Sequence, residues 1–167
     1  MRTVNCNSAM VRRAALCGLA MLVINAVGAL SASAQSPRPF GGRVVAKWDN
    51  VFSAVGGTAN FTGTSQMRHM GRSAQVGTLS LGAPTANGLF PGTGTVTITA
   101  ANGDKVTFNY TGFLNPSTGV GSGPLEIVGG TGRFAGATGF GTFYAVIDVS
   151  APANQGMTVL LDGVINY

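Results

Sequence analysis

Thiol chemistry is all but absent from this sequence. Its two cysteines, Cys6 and Cys17, both fall in the opening stretch. Once that stretch is set aside, no disulfide, thiolate metal site or cysteine nucleophile is left. Charge is equally scarce, at 9% of residues, which excludes coiled coils, charged helical bundles and highly charged disordered tails. A single histidine, His69, rules out a two-histidine metal site or a triad with a second imidazole. No window sustains a helical period. Glycine, by contrast, supplies 26 of the 167 residues. At this length one domain buries about two thirds of its unfolded surface without covalent staples.

The opening stretch reads as an export signal. Arg2, Arg12 and Arg13 precede or flank an apolar run from Ala14 to Leu30, and Ala32-Ser33-Ala34 follows as a small-x-small triplet. That combination predicts a signal peptide over residues 1–34, cleaved after Ala34, and so a secreted or periplasmic protein. A run containing Gly18, Asn25 and Gly28 is marginal for crossing a hydrocarbon core about 30 Å thick. Ala14-Ala15-Leu16 matches a twin-arginine signal only loosely. Cys17 has Leu16 directly beside it rather than three residues upstream, so a lipid anchor is rejected. What remains carries seven bases (Arg38, Arg43, Lys47, Arg68, Arg72, Lys105, Arg133) against five acids (Asp49, Asp104, Glu126, Asp148, Asp162), a net +2. Seven scattered cations form no stripe that follows phosphates, so nucleic acid is not an expected partner.

Residues 35–42 contain Pro37, Pro39 and Gly41-Gly42 and read as a flexible lead-in, with the domain starting at Arg43 and running to Tyr167. Beyond it, β-branched and aromatic runs broken by Gly, Pro and Asn predict eight strands. They fall near 43–53, 57–64, 75–81, 94–100, 105–113, 123–128, 139–149 and 157–165. Strands of this number and length fit an antiparallel meander that closes into a barrel or a sandwich. Ala101-Asn102-Gly103 reads as a three-residue hairpin loop, which sets Ile98 against Val106 and Val96 against Phe108. For the last hairpin, a loop over 150–156 sets Val149 against Met157, Ile147 against Val159 and Ala145 against Leu161. Its reverse face then holds Phe140, Thr142, Tyr144, Val146 and Asp148 facing Thr158, Leu160, Asp162 and Val164, with Tyr144 against Asp162. Such a face is too apolar to be plainly wet, which points to a subunit interface or a pocket.

The segment from Glu126 to Gly141 is the most distinctive. Gly130-x-Gly132-x-x-Ala135 imitates a dinucleotide fingerprint. That fingerprint needs a helix after it, and here Gly136, Gly139 and Gly141 open a strand instead. The segment reads as a strand-to-strand corner built on Gly129, Gly130, Gly132, Gly136 and Gly139. Phe134 would drop into the core and Arg133 would face outward or hold a carbonyl. The run Gly-Gly-Thr-Gly-Arg-Phe-Ala-Gly-Ala-Thr-Gly from Gly129 to Gly139 resembles the corner of plant dirigent proteins and of secreted bacterial proteins with an allene oxide cyclase-like barrel. The resemblance implies an all-β, eight-stranded antiparallel up-and-down barrel, often trimeric in plants, whose interior holds a small hydrophobic ligand. It carries over no catalytic residue.

Chemistry is otherwise sparse. Met67 and Met70 flank His69, a combination only faintly suited to a soft metal, so no metal and no cofactor is expected. Ser122 lacks the upstream glycine of a nucleophile elbow. Trp48 alternates with Val44, Ala46, Asn50 and Phe52, which marks a core face or a cavity wall. The candidate ligand-binding residues are therefore Trp48, Glu126, Tyr144, Asp148 and Asp162. Three functions stand open. The first is a barrel that binds a small apolar molecule or acts as a structural or assembly module, with homo-oligomers (dimer or trimer) among its partners. The second is a pocket enzyme acting on a lipid-like or phenolic substrate, which needs one of these acids pointing inward. The third is a small outer-membrane barrel, motivated by the alternation of Val159, Leu161, Gly163, Ile165 and Tyr167.

Overall fold

A computed structural model describes residues 36–49, 56–148 and 156–167; the predicted signal peptide lies outside them. Eight strands follow one another in the chain: β1 (Arg38–Trp48), β2 (Gly57–Met67), β3 (Gly71–Leu81), β4 (Phe90–Ala100), β5 (Lys105–Asn115), β6 (Val120–Gly130), β7 (Thr138–Ile147) and β8 (Gly156–Asn166). Each pairs antiparallel with the next, and β8 returns to β1, so the sheet closes into a barrel in strict chain order. Closure leaves no sheet edge to be templated by another chain. The expected up-and-down barrel is the fold found, and the sandwich alternative is excluded.

Alternation fixes what faces inward. On β4 Val96, Ile98 and Ala100 are buried, and on β8 Met157, Val159, Leu161 and Ile165 are. The residues that alternate with them face out. The β4–β5 hairpin has the predicted register, with Ile98 opposite Val106 and Val96 opposite Phe108. The β7–β8 hairpin does not. Ile147 stands opposite Met157 and Ala145 opposite Val159, and Tyr144 lies against Leu160 rather than Asp162, which pairs with Thr142. This is a slip of two residues, which preserves the facing of every side chain, so the apolar pattern alone could not detect it. Val149, placed by the sequence in that hairpin, lies outside the described residues.

The lead-in is also corrected: β1 begins at Arg38, and Arg38 to Gly42 pair with β8. Phe40 is the reason. It is among the largest fully buried side chains and meets Phe108 edge-on at 6.4 Å, and burying an aromatic ring outweighs the flexibility of the glycines and prolines around it.

The glycine-rich corner forms a single 3₁₀ turn, Gly132–Phe134, between β6 and β7, with no helix to receive a pyrophosphate. Phe134 is 1% exposed. Gly132 has φ 61, a left-handed conformation that favours glycine, and the Asp104 carboxylate packs into the space a side chain would take. The Arg133 guanidinium donates to the carbonyl of His69 and lies 3.5 Å from the Asp104 carboxylate. One side chain thus joins three turns. Met67 and Met70 are buried and their thioethers serve as packing, which removes them from any soft-metal site at the exposed His69.

Candidate functional site: an apolar cavity at one end of the barrel

The two ends of the barrel are built differently. Where β1, β3, β5 and β7 begin, the interior is filled by Phe40, Ile98, Val106, Phe134 and Ile165, all almost fully buried. Tyr167 closes over this plug, its ring 4.7 Å from Phe134 and 6.1 Å from His69, with the Arg38 guanidinium 4.8 Å from its centre. Toward the opposite end the interior is hollow. A cavity of about 70 Å³ runs from mid-barrel to the end where Trp48, Leu81, Leu114 and Ile147 stand.

Aromatic rings shape the walls. Trp48 and Phe61 meet edge-on at 4.9 Å, and Tyr110 and Phe143 at 5.2 Å. Aliphatic groups from Leu79, Val96, Val159 and Leu161 fill the surface between them. The Tyr110 hydroxyl donates to the carbonyl of Thr78 at 2.8 Å. It reaches that carbonyl across β4 because Gly94 stands there: a Cβ at Gly94 would lie 2.5 Å from the hydroxyl oxygen. Burial pushes the Tyr110 hydroxyl well above the ordinary tyrosine value of 10.0, because a phenolate in an apolar wall loses its hydration. The group is therefore a hydrogen-bonding phenol and no base.

Of the residues singled out from the sequence, only Trp48 lines the cavity. Glu126, Tyr144, Asp148 and Asp162 are all exposed. Glu126 lies between the inward Leu125 and Ile127 and so faces out, while Tyr144 and Asp162 occupy the outer face of β7 and β8. Asp49 and Asp104 complete the five acids, and none of the five lines the cavity. Asp49 instead accepts hydrogen bonds from the Asn60 side chain at 2.9 Å and its backbone at 2.8 Å. Those bonds hold its carboxyl below the ordinary value of 3.8. Sequence reasoning missed Gln75, whose side chain lines the cavity and which is only 4% exposed. Its inward parity with Leu79 and Leu81 was the available signal.

No family model and no curated protein matches the chain. Among solved structures it is similar to the pterocarpan synthase dirigent protein GePTS1, at 13% identity and a TM-score of 0.44, over 79% of this chain and 87% of that chain.

Proposed function

We propose that the protein is an exported binding barrel that takes a small apolar molecule into the cavity lined by Trp48, Phe61, Tyr110 and Phe143. The observation that carries this reading is a hollow at one end of a barrel whose other end is packed solid. Interiors are close-packed by default, and an apolar hollow leaves its lining without dispersion partners. A ligand restores them. The acid–base version of a pocket enzyme requires a carboxylate facing the cavity, and all five point elsewhere, so binding is the favoured activity. Outward-facing Asn60, Thr62, Thr78, Thr95, Asn109 and Thr111 give β2 to β5 a polar outer surface. A lipid-facing barrel needs an apolar band all round, which weighs against the outer-membrane reading.

Native mass spectrometry of the protein, purified from its own host without detergent, tests the proposal. A reproducible added mass of a few hundred daltons, or one acquired on incubation with apolar candidates, is expected. A chain that never retains a small molecule contradicts it. The same sample reads the amino terminus, which the export reading sets at Gln35.

A second reading, self-association, is favoured by a different observation. Phe140, Tyr144, Val146, Leu160 and Val45 form an exposed apolar patch across β7, β8 and β1, with Phe140 70% exposed. Exposed Arg43 and Asp162 border the same residues. Pairing two copies through this face would cover the patch, with Arg43 and Asp162 at its border. Sedimentation of the wild type and of Leu160→Glu decides: a dimer that the variant abolishes supports it, and a wild-type monomer at tens of micromolar removes it.

A further inference from the structure

Building on the binding role inferred above, we propose that Gln75 sets the specificity of the cavity and that its ligand is a neutral apolar molecule with a single hydroxyl or carbonyl group, held by the Gln75 carboxamide. Among the described residues three side chains are both polar and buried in the barrel: Ser65, Ser73 and Gln75. Ser73 is satisfied, donating toward the carbonyls of Met70 and Gly71 at 3.3 and 3.2 Å. Gln75 is the one that lines the cavity, and its carboxamide has no hydrogen bond to any described residue. Its cross-strand neighbours offer none, since Gly63 has no side chain and Ile98 is aliphatic. A buried amide left unpaired is costly, and the cost disappears when an incoming group pairs with it.

The surroundings narrow the chemistry. A carboxamide gives N–H groups to a carbonyl or hydroxyl oxygen and accepts an O–H, so either group satisfies it. Among the described residues no charged side chain lines the cavity, so a carboxylate or ammonium head would enter an apolar space without a counter-charge. Gln75 precedes Leu79 and Leu81 on β3, and Leu81 stands at the cavity end. The ligand's polar group therefore enters first, and its apolar body rests among the aromatic walls.

Titration of the protein with 2-naphthalenemethanol and 2-ethylnaphthalene, which differ by a hydroxyl in place of a methyl, tests this by calorimetry. The wild type is expected to favour the alcohol by about tenfold, the worth of one buried hydrogen bond. Gln75→Met, which keeps an unbranched chain of similar length, should bind the hydrocarbon undiminished and lose the preference. Equal affinities in the wild type, or a preference that survives Gln75→Met, overturn the assignment while leaving the binding role intact. Failure of the wild type to bind either compound removes the binding role and the assignment together. Should Gln75→Met not fold, the wild-type comparison decides alone.

Discussion

The plugged end and the cavity end of this barrel are made by the same eight strands, yet they spend their side chains differently. At the plugged end Phe40, Phe134 and Ile165 fill the interior and the corner residue Arg133 ties three turns together. At the cavity end Phe61 leans on Trp48 and Tyr110 on Phe143, around space rather than into it. Eight strands leave an interior that side chains can just fill or that can hold one small ligand. Here both outcomes coexist in one barrel. Stability is concentrated where the corner sits, and the proposed recognition falls where the packing is incomplete.

The contrast is sharpest under truncation. Phe134→Ala should cost about 3–5 kcal/mol, the range for an aromatic ring removed from a tight core, whereas Phe143→Ala, in a wall that already borders space, should cost roughly half of that or less. Urea denaturation of both variants measures the difference, and equal losses would erase the distinction between the ends. Gly132→Ala is next, at about 1–2 kcal/mol for a left-handed alanine crowded by Asp104; the same assay reads it. Tyr110→Phe should then lose about 1 kcal/mol with its bond to Thr78.

Tyr110 also gives a pH signature. Because its folded hydroxyl titrates above its unfolded value of 10.0, the folded state holds that proton more tightly. Its contribution to stability is complete below pH 10.0 and is lost as pH rises toward the folded value. Tyr110→Phe should flatten that alkaline decline, followed by denaturation at successive pH values. The smallest effect concerns Asp49. Asn60→Ala should raise its carboxyl toward 3.8, seen by NMR titration of the side chain, because two of the bonds that favour the ionised form involve Asn60. In the wild type that preference stabilises the fold above the unfolded carboxyl value and is lost as pH falls through the folded one.

Strand number, facing and the β4–β5 register were legible in the sequence because Val96, Ile98, Val106 and Phe108 reinforce one another across a turn with only one consistent loop length. The corner was legible as well: Gly132 and Phe134 do there what such residues do in tight turns. The β7–β8 register was not, because a two-residue slip leaves Ala145 and Ile147 facing the same way. Strand starts were read too late where proline and glycine flank an aromatic anchor, as Pro39, Gly41 and Gly42 do Phe40 and as Pro91 and Gly92 do Phe90. The site was the least legible part. On β3 an apolar Val76 stands among the outward residues while polar Gln75 faces in, so hydropathy inverts the inner and outer faces at the position where the cavity's polar group lies. The acids drew attention for their chemistry, although the parity of Leu125 and Ile127 already turned Glu126 outward.

Trp48 is the only tryptophan in the chain and it lines the cavity, so it reports occupancy directly. Titration with the neutral fluorophore N-phenyl-1-naphthylamine should quench Trp48 emission and transfer its energy to the probe with one-to-one saturation. Ala145→Leu, which fills the cavity from its wall, should abolish that signal. A probe that never saturates, or saturates equally with the cavity filled, would contradict a ligand-binding interior.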